Sequence, residues 1–216
     1  MANLITLGRV LLLFITVGFI YVGWPGNGLP GDALLLLVAA ILTLIVFLGD
    51  AFDGMVARAR GETDEFGAVV DIAGDRIVEN VYWVIFAHLG LISVWFPLVQ
   101  IARSFTVDAV RSLALSEGRT AFGEKTMMES RMGKWIAASR FHRGLYGSAK
   151  VVTFEWFLLQ MALTVQVARY PDWAHNYGNA LALVQTIGII LAVFTILYSL
   201  LRGGIVVWDS RRYFLK

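Results

Sequence analysis

Long apolar runs constrain this chain more than any other feature. Residues 1–22, 33–49, 67–88, 95–116, 145–168 and 179–201 are each predominantly apolar. A helix rises 1.5 Å per residue, so about 20 residues cross the hydrocarbon layer of a bilayer. Hydrocarbon offers no partner to a backbone N–H or C=O, and an α-helix satisfies both within itself. The six runs therefore predict an all-α integral membrane bundle of six transmembrane helices. Charge content agrees: 16% of the 216 residues are charged, against about 25% in a soluble domain. The spans and their connections use the whole length, so residues 1–216 read as a single membrane domain. The first run closes on Tyr21, Trp24 and Pro25 with no small-residue cleavage site, which predicts a retained helix and not a signal peptide.

The connections set the orientation. Residues 26–32 form a short Gly/Pro loop, and residues 60–66 a polar turn between the second and third runs. Gly90 is a plausible break after the third run, and Pro97 suits the first turn of the fourth. Residues 119–144 are the stretch richest in Arg and Lys, and read as a cytoplasmic loop with an interfacial helix. Residues 169–178 read as a loop with aromatic anchors. With six spans, both termini, the 50–67 turn and the basic loop share one side, and Arg169 lies on the other. The positive-inside rule then makes both termini cytoplasmic. The absence of cysteine excludes disulfides, thiolate metal sites and cysteine nucleophiles. A net charge of +2 is too small to imply a nucleic-acid partner.

One short stretch carries the chemistry. Asp50 and Asp53 are spaced by three residues and Asp71 and Asp75 by four, so each pair shares a helix face. All four sit at the ends of apolar runs, where an ionised side chain is costly and marks a functional site by default. Helix capping alone would not explain two such pairs. Four neighbouring carboxylates repel one another unless a cation lies among them, and hard oxygen donors suit Mg²⁺, Mn²⁺ or Ca²⁺. Such a site points to a phosphorylated substrate. Gly54 and Gly67 either let a ligand approach the backbone or allow tight helix packing. Arg58 either grips a phosphate or snorkels to the interface.

Arg103, Arg111, Arg140, Arg143 and Lys150 are cations available to a second anionic substrate. Arg103 and Arg111 lie two turns apart on the fourth run and should face the bundle interior. Arg140 and Arg143 would serve equally as contacts for anionic lipid head groups. Glu79, Asp108 and Glu155 read as counter-charges within the bundle. His88, His142 and His175 are dispersed and receive no role, and no nucleophile elbow supports a hydrolase.

The spacing D-x2-D-G-x2-A-R-x8-G-x3-D-x3-D, carried here by Asp50, Asp53, Gly54, Ala57, Arg58, Gly67, Asp71 and Asp75, resembles the signature of the CDP-alcohol phosphatidyltransferases. The opening Asn3, Thr6 and Arg9 is also similar to the start of many bacterial members. The resemblance implies one such domain over 1–216, with its motif at 50–75 and a cytoplasmic loop at about 116–144. It implies transfer of a phosphatidyl group from CDP-diacylglycerol to an alcohol, with CMP released. By position, Asp50, Asp53, Asp71 and Asp75 would hold two Mg²⁺ or Mn²⁺ ions, and Asp75 would also be the general base. Asp50, Gly54, Ala57, Arg58 and Gly67 would bind the donor. The family further implies a homodimer in the cell (cytoplasmic) membrane, with the active site facing the cytoplasm.

The acceptor is expected to be glycerol 3-phosphate. Residues 103–114 and 147–153 resemble segments of phosphatidylglycerophosphate synthases, with Ser104 and Val151 departing from the usual residues. Inositol phosphate meets the same electrostatic demand, with inositol or serine as further alternatives. A membrane prenyltransferase would carry two widely separated Asp-rich motifs, and a cation transporter would place carboxylates near mid-membrane. Neither matches a single compact cluster at helix ends.

Overall fold

The structure, a computed structural model, describes the chain except residues 1, 26–29, 61–64, 121–125 and 212–216, and the side chains of 2–4, 50–60, 65–66, 68, 171, 174 and 175. Among the described residues there are six α-helices: α1 (Ala2–Gly23), α2 (Ala33–Arg60), α3 (Glu65–His88), α4 (Trp95–Ser116), α5 (Arg140–Arg169) and α6 (Pro171–Asp209). A single π-helical turn, Gly133–Ala138, precedes α5. The described residues form no named strand, only one isolated bridge between Thr120 and Thr126.

Glycine ends two of these helices. After α3 and after α4, Gly90 and Gly118 adopt φ of +77° and +74°. Leu91 N–H then reaches back to Phe86 O and Arg119 N–H to Ala114 O, both at 2.9 Å. This is the Schellman closure, and its left-handed residue disfavours any side chain. Helix α5 starts at Ser139, whose hydroxyl accepts the His142 N–H at 3.3 Å.

Two expected connections are helical. Of the loop expected over 169–178, residue 169 ends α5 and residues 171–178 are the first part of α6, which follows its cap residue Tyr170 with Pro at its first turn and Asp172 close behind. Proline there has its ring angle already set and gives up no helical bond, and an acidic first turn suits the helix dipole. Residues 140–144, expected within the polar loop, form the first turn of α5.

The helices close into a ring. Contacts run from α1 to α2, α2 to α5, α5 to α6, α6 to α4, α4 to α3 and α3 back to α1. One end of the ring is filled by Tyr82, Trp83, Phe86, Phe154 and Phe157, all buried. Tyr82 stacks on Phe154 at 5.1 Å and Trp83 meets Phe154 edge-on at the same distance. A second apolar cluster (Val107, Val110, Ala114, Met127, Met128, Ala137 and Val206) seats the 127–138 segment against α4 and α6.

The outer surface is apolar. Leu11, Phe14, Leu34, Ile41, Phe105, Leu183, Ile190 and Leu197 are all exposed, while Arg9, Glu79, Gln100, Arg103 and Arg202 are buried. This inverts the arrangement of a soluble protein. Among the described residues, three helical segments are long and apolar enough to cross a membrane: Ile5–Gly23, Arg140–Arg169 and Asn176–Asp209; Ala33–Gly49 is a shorter apolar helix. Helices α3 and α4 are less apolar because they carry the ring's interior charges.

Candidate active site

Helix α2 runs through the first half of the acidic stretch, with Asp50, Asp53, Gly54, Ala57 and Arg58 on its last turns. Their side chains lie outside the described residues. Gly67, Asp71 and Asp75 lie on α3. Asp71 and Asp75 are one turn apart, half-buried, and both face Arg9 of α1. Arg9 Nη2 donates to Asp75 Oδ1 at 3.1 Å, and Nη1 lies 3.7 Å from Asp71 Oδ1. Arg9 Nε donates to Val46 O at 3.1 Å, the carbonyl one turn before Asp50. Three helices thus meet at one guanidinium.

These residues suit a hard divalent cation. Asp71 and Asp75 supply only carboxylate oxygen, on one face and in reach of solvent. Among the described residues no group of three metal-ligating side chains comes together; the Asp50 and Asp53 side chains lie outside them.

A cleft of about 490 Å³ opens beside Asp75 between α2, α3 and α5. Phe47, Val78, Val151 and Val152 form its apolar walls, and Lys150 shares its polar rim with Asp75. Behind that rim lies a buried polar network built on Glu79, one turn after Asp75. Glu79 Oε2 accepts from Arg76 Nη1 and Lys150 Nζ, both at 3.1 Å. Its Oε1 accepts from Gln100 Nε2 at 2.7 Å and from the Tyr146 hydroxyl. Every lone pair of this carboxylate is engaged, which a fully buried ion requires.

Asp108 of α4 extends the network. It accepts from Arg76 Nε at 2.7 Å and from Arg111 Nη1 at 3.5 Å. Arg103 donates to Ser199 O at 3.2 Å, and its Nη1 is buried without a hydrogen-bond partner among the described residues. The Tyr146 ring compensates in part. Lys150 Nζ, Arg202 Cζ and Arg103 Cζ lie 4.8, 5.3 and 5.7 Å from its centroid, within cation–π range. Among the described side chains around Tyr146 and Asp108, the cations Arg76, Arg103, Arg111, Lys150 and Arg202 stand with the carboxylates Glu79 and Asp108.

Of the expected acceptor cations, Arg103, Arg111 and Lys150 therefore come together. Arg140 is exposed at the start of α5 and Arg143 half-buried one turn on. Glu79 and Asp108 are counter-charges, as expected. Glu155 forms no ion pair among the described residues, and its Oε1 is buried there without a hydrogen-bond partner. His88 packs near Tyr21, His142 hydrogen-bonds the Tyr198 hydroxyl, and His175 lies outside the described side chains.

Sequence reasoning passed over Arg9, Arg76, Tyr146 and Arg202 as site residues. Arg9 carried a usable signal, since an ionisable residue inside an apolar run marks function by default. Arg202 donates to Ile136 O and Ala137 O at 3.3 and 3.1 Å, binding the end of the π-helical turn. Nothing in the spacing of residue 202 reveals that contact.

A family model described as CDP-alcohol phosphatidyltransferase matches residues 1–210. The chain is 28% identical over 141 residues to a phosphatidylinositol phosphate synthase of Mycobacteroides abscessus, a match covering 62% of this chain and 64% of that protein. The chain thus spans slightly less than two thirds of that relative's length.

Proposed function

We propose the following reaction for this chain, which belongs to the CDP-alcohol phosphatidyltransferase family: it moves a phosphatidyl group from CDP-diacylglycerol to the hydroxyl of a phosphorylated polyol. The carrying observation is the gathering of interior cations, Lys150, Arg103 and Arg111 with Arg76 and Arg202, beside the Asp75–Lys150 cleft among the described residues. A buried cluster with more guanidinium and ammonium groups than carboxylates favours a multiply charged anion. A neutral or zwitterionic alcohol would bring no net negative charge to them.

Asp50, Asp53, Asp71 and Asp75 would hold two Mg²⁺ or Mn²⁺ ions, which neutralise diphosphate charge when bound. Asp75 takes the proton from the acceptor hydroxyl. The hydroxyl oxygen bonds to the phosphorus that carries diacylglycerol, the bond from that phosphorus to the CMP oxygen breaks, and CMP leaves. Gly54, Ala57, Arg58 and Gly67, with Asp50, bind the donor. Lys150, Arg103 and Arg111 hold the acceptor phosphate, with Arg140 and Arg143 at the entrance. The lipid enters from the bilayer between helices and the polar acceptor from the cytoplasm.

The whole chain acts as one membrane domain. All six helices cross the bilayer, because α3 and α4 are needed to close the ring around the polar interior. Both termini and the site face the cytoplasm of the cell membrane, and two copies form a homodimer. Similarity of the 103–114 and 147–153 segments to phosphatidylglycerophosphate synthases favours glycerol 3-phosphate as acceptor. The relative's name favours inositol phosphate.

The test is a panel assay with CDP-diacylglycerol and Mg²⁺, measuring CMP. Glycerol 3-phosphate, inositol phosphate, inositol and serine are each offered. CMP release with one of the two phosphorylated acceptors is expected. Turnover with inositol or serine alone would overturn the assignment of the cation cluster.

A further inference from the structure

We infer that Arg9, from the first helix, is a positioning residue that orients the Asp71 and Asp75 carboxylates for divalent cation binding. The inference rests on the proposal that these carboxylates hold the metal, and adds a residue outside the 50–75 motif to that centre.

The geometry points at Arg9 from three directions. Its side chain is 5% exposed, so the guanidinium must be matched by fixed partners. Nε is held by Val46 O of α2, which fixes the plane of the fork relative to the turn carrying Asp50. The two remaining nitrogens face Asp75 Oδ1 and Asp71 Oδ1 of α3. A planar fork anchored at one corner sets both the spacing and the rotation of the groups at the other two.

The backbone is shaped to admit this residue. A methyl group built at Gly49 would stand 2.9 Å from Arg9 Cγ and 3.0 Å from Cδ, and one at Gly74 would stand 2.5 Å from Thr6 Cγ2. Gly49 precedes Asp50 and Gly74 precedes Asp75. Thr6 and Arg9 are one turn apart on α1, so the same face of α1 fits two glycine notches beside two motif aspartates. A guanidinium that merely balanced charge would not need its stem seated in this way.

Hydrogen bonds from neighbouring groups orient metal-binding carboxylates, and their loss typically costs 10–100-fold in metal affinity. The experiment is Mn²⁺ titration of the purified full-length protein in detergent, following the EPR signal of free Mn²⁺. Wild type, Arg9→Gln, Arg9→Lys, Asp71→Asn and Thr16→Val are compared. Thr16 is a buried polar residue on the same helix whose hydroxyl donates to Leu12 O, and reports general loosening of α1.

Arg9→Gln should weaken Mn²⁺ binding by at least about tenfold. Arg9→Lys, which keeps the charge but loses the fork, should fall between it and wild type. Thr16→Val should bind as wild type does. Wild-type affinity in Arg9→Gln, or tighter binding, overturns the inference. If Arg9→Gln does not elute as folded protein, wild-type affinity in Arg9→Lys overturns it. Failure of wild type to bind Mn²⁺, or undiminished binding by Asp71→Asn, would instead overturn the assignment of the carboxylates.

Discussion

Glu79 and Arg9 solve the same electrostatic problem with opposite signs. Each is an ion taken out of water, and each is stable there because several helices supply partners to all of its polar atoms. Glu79 draws donors from α3, α4 and α5. Removing its charge in Glu79→Gln leaves Lys150 with no described carboxylate partner and Arg76 with Asp108 alone. Breaking a buried ion pair from one side costs on the order of 3 kcal/mol, so thermal stability should drop. Lys150 should also leave its place on the cleft rim. Steady-state kinetics should therefore show the acceptor KM rising about tenfold, the equivalent of ~1.4 kcal/mol, with the donor KM little changed. An equal rise in both would mean that Glu79 serves the fold alone.

The helices differ in how they are tied down. Two end in glycine closures, a local device in which the last carbonyls are satisfied without outside help. The segment from Met127 to Ala138 is held from outside. Asp209, at the end of α6, accepts the N–H groups of Glu129 and Ser130, both at 3.1 Å, and Arg202 binds the far end of the π-helical turn. Hydrogen bonds to an ionised acceptor are about twice as strong as neutral ones. Asp209→Ala should release this segment while the helices stay folded. Limited trypsin digestion should then cut faster at Arg131 and Lys134 than in wild type. Unchanged cleavage would show that the apolar contacts of Met127 and Met128 suffice to hold it.

The molecule as a whole is a ring with a charged interior and an apolar rim, and its orientation is open to direct test. The chain contains no cysteine, so a single introduced thiol is an unambiguous reporter. Glu117→Cys lies at the end of α4 and Asp172→Cys at the start of α6, both at exposed positions. With the proposed topology, a membrane-impermeant maleimide added to intact cells should label Asp172→Cys only. In inside-out vesicles it should label Glu117→Cys only. The reverse pattern would place the aspartates on the outer side.

Much of this architecture is decided by the sequence alone. Apolar runs of membrane length force helices because a backbone in hydrocarbon must bond to itself. Helical periodicity then puts Asp71 above Asp75 whatever else the chain does. The ends of helices were less legible: Pro171 reads as a loop residue, yet proline is equally at home in a first turn, and α6 begins there. What only the tertiary structure decided is the order of helices around the ring. That order brings Arg9 to Asp75 across 66 residues and Lys150 to Glu79 across 71. Periodicity assigns each residue a face of its own helix and says nothing about which helix that face meets. The acidic pair was therefore visible as a motif and Glu79 as an interior counter-charge, while the arginine that meets the pair and the partners that Glu79 finds on α4 and α5 emerged only once the helices were packed.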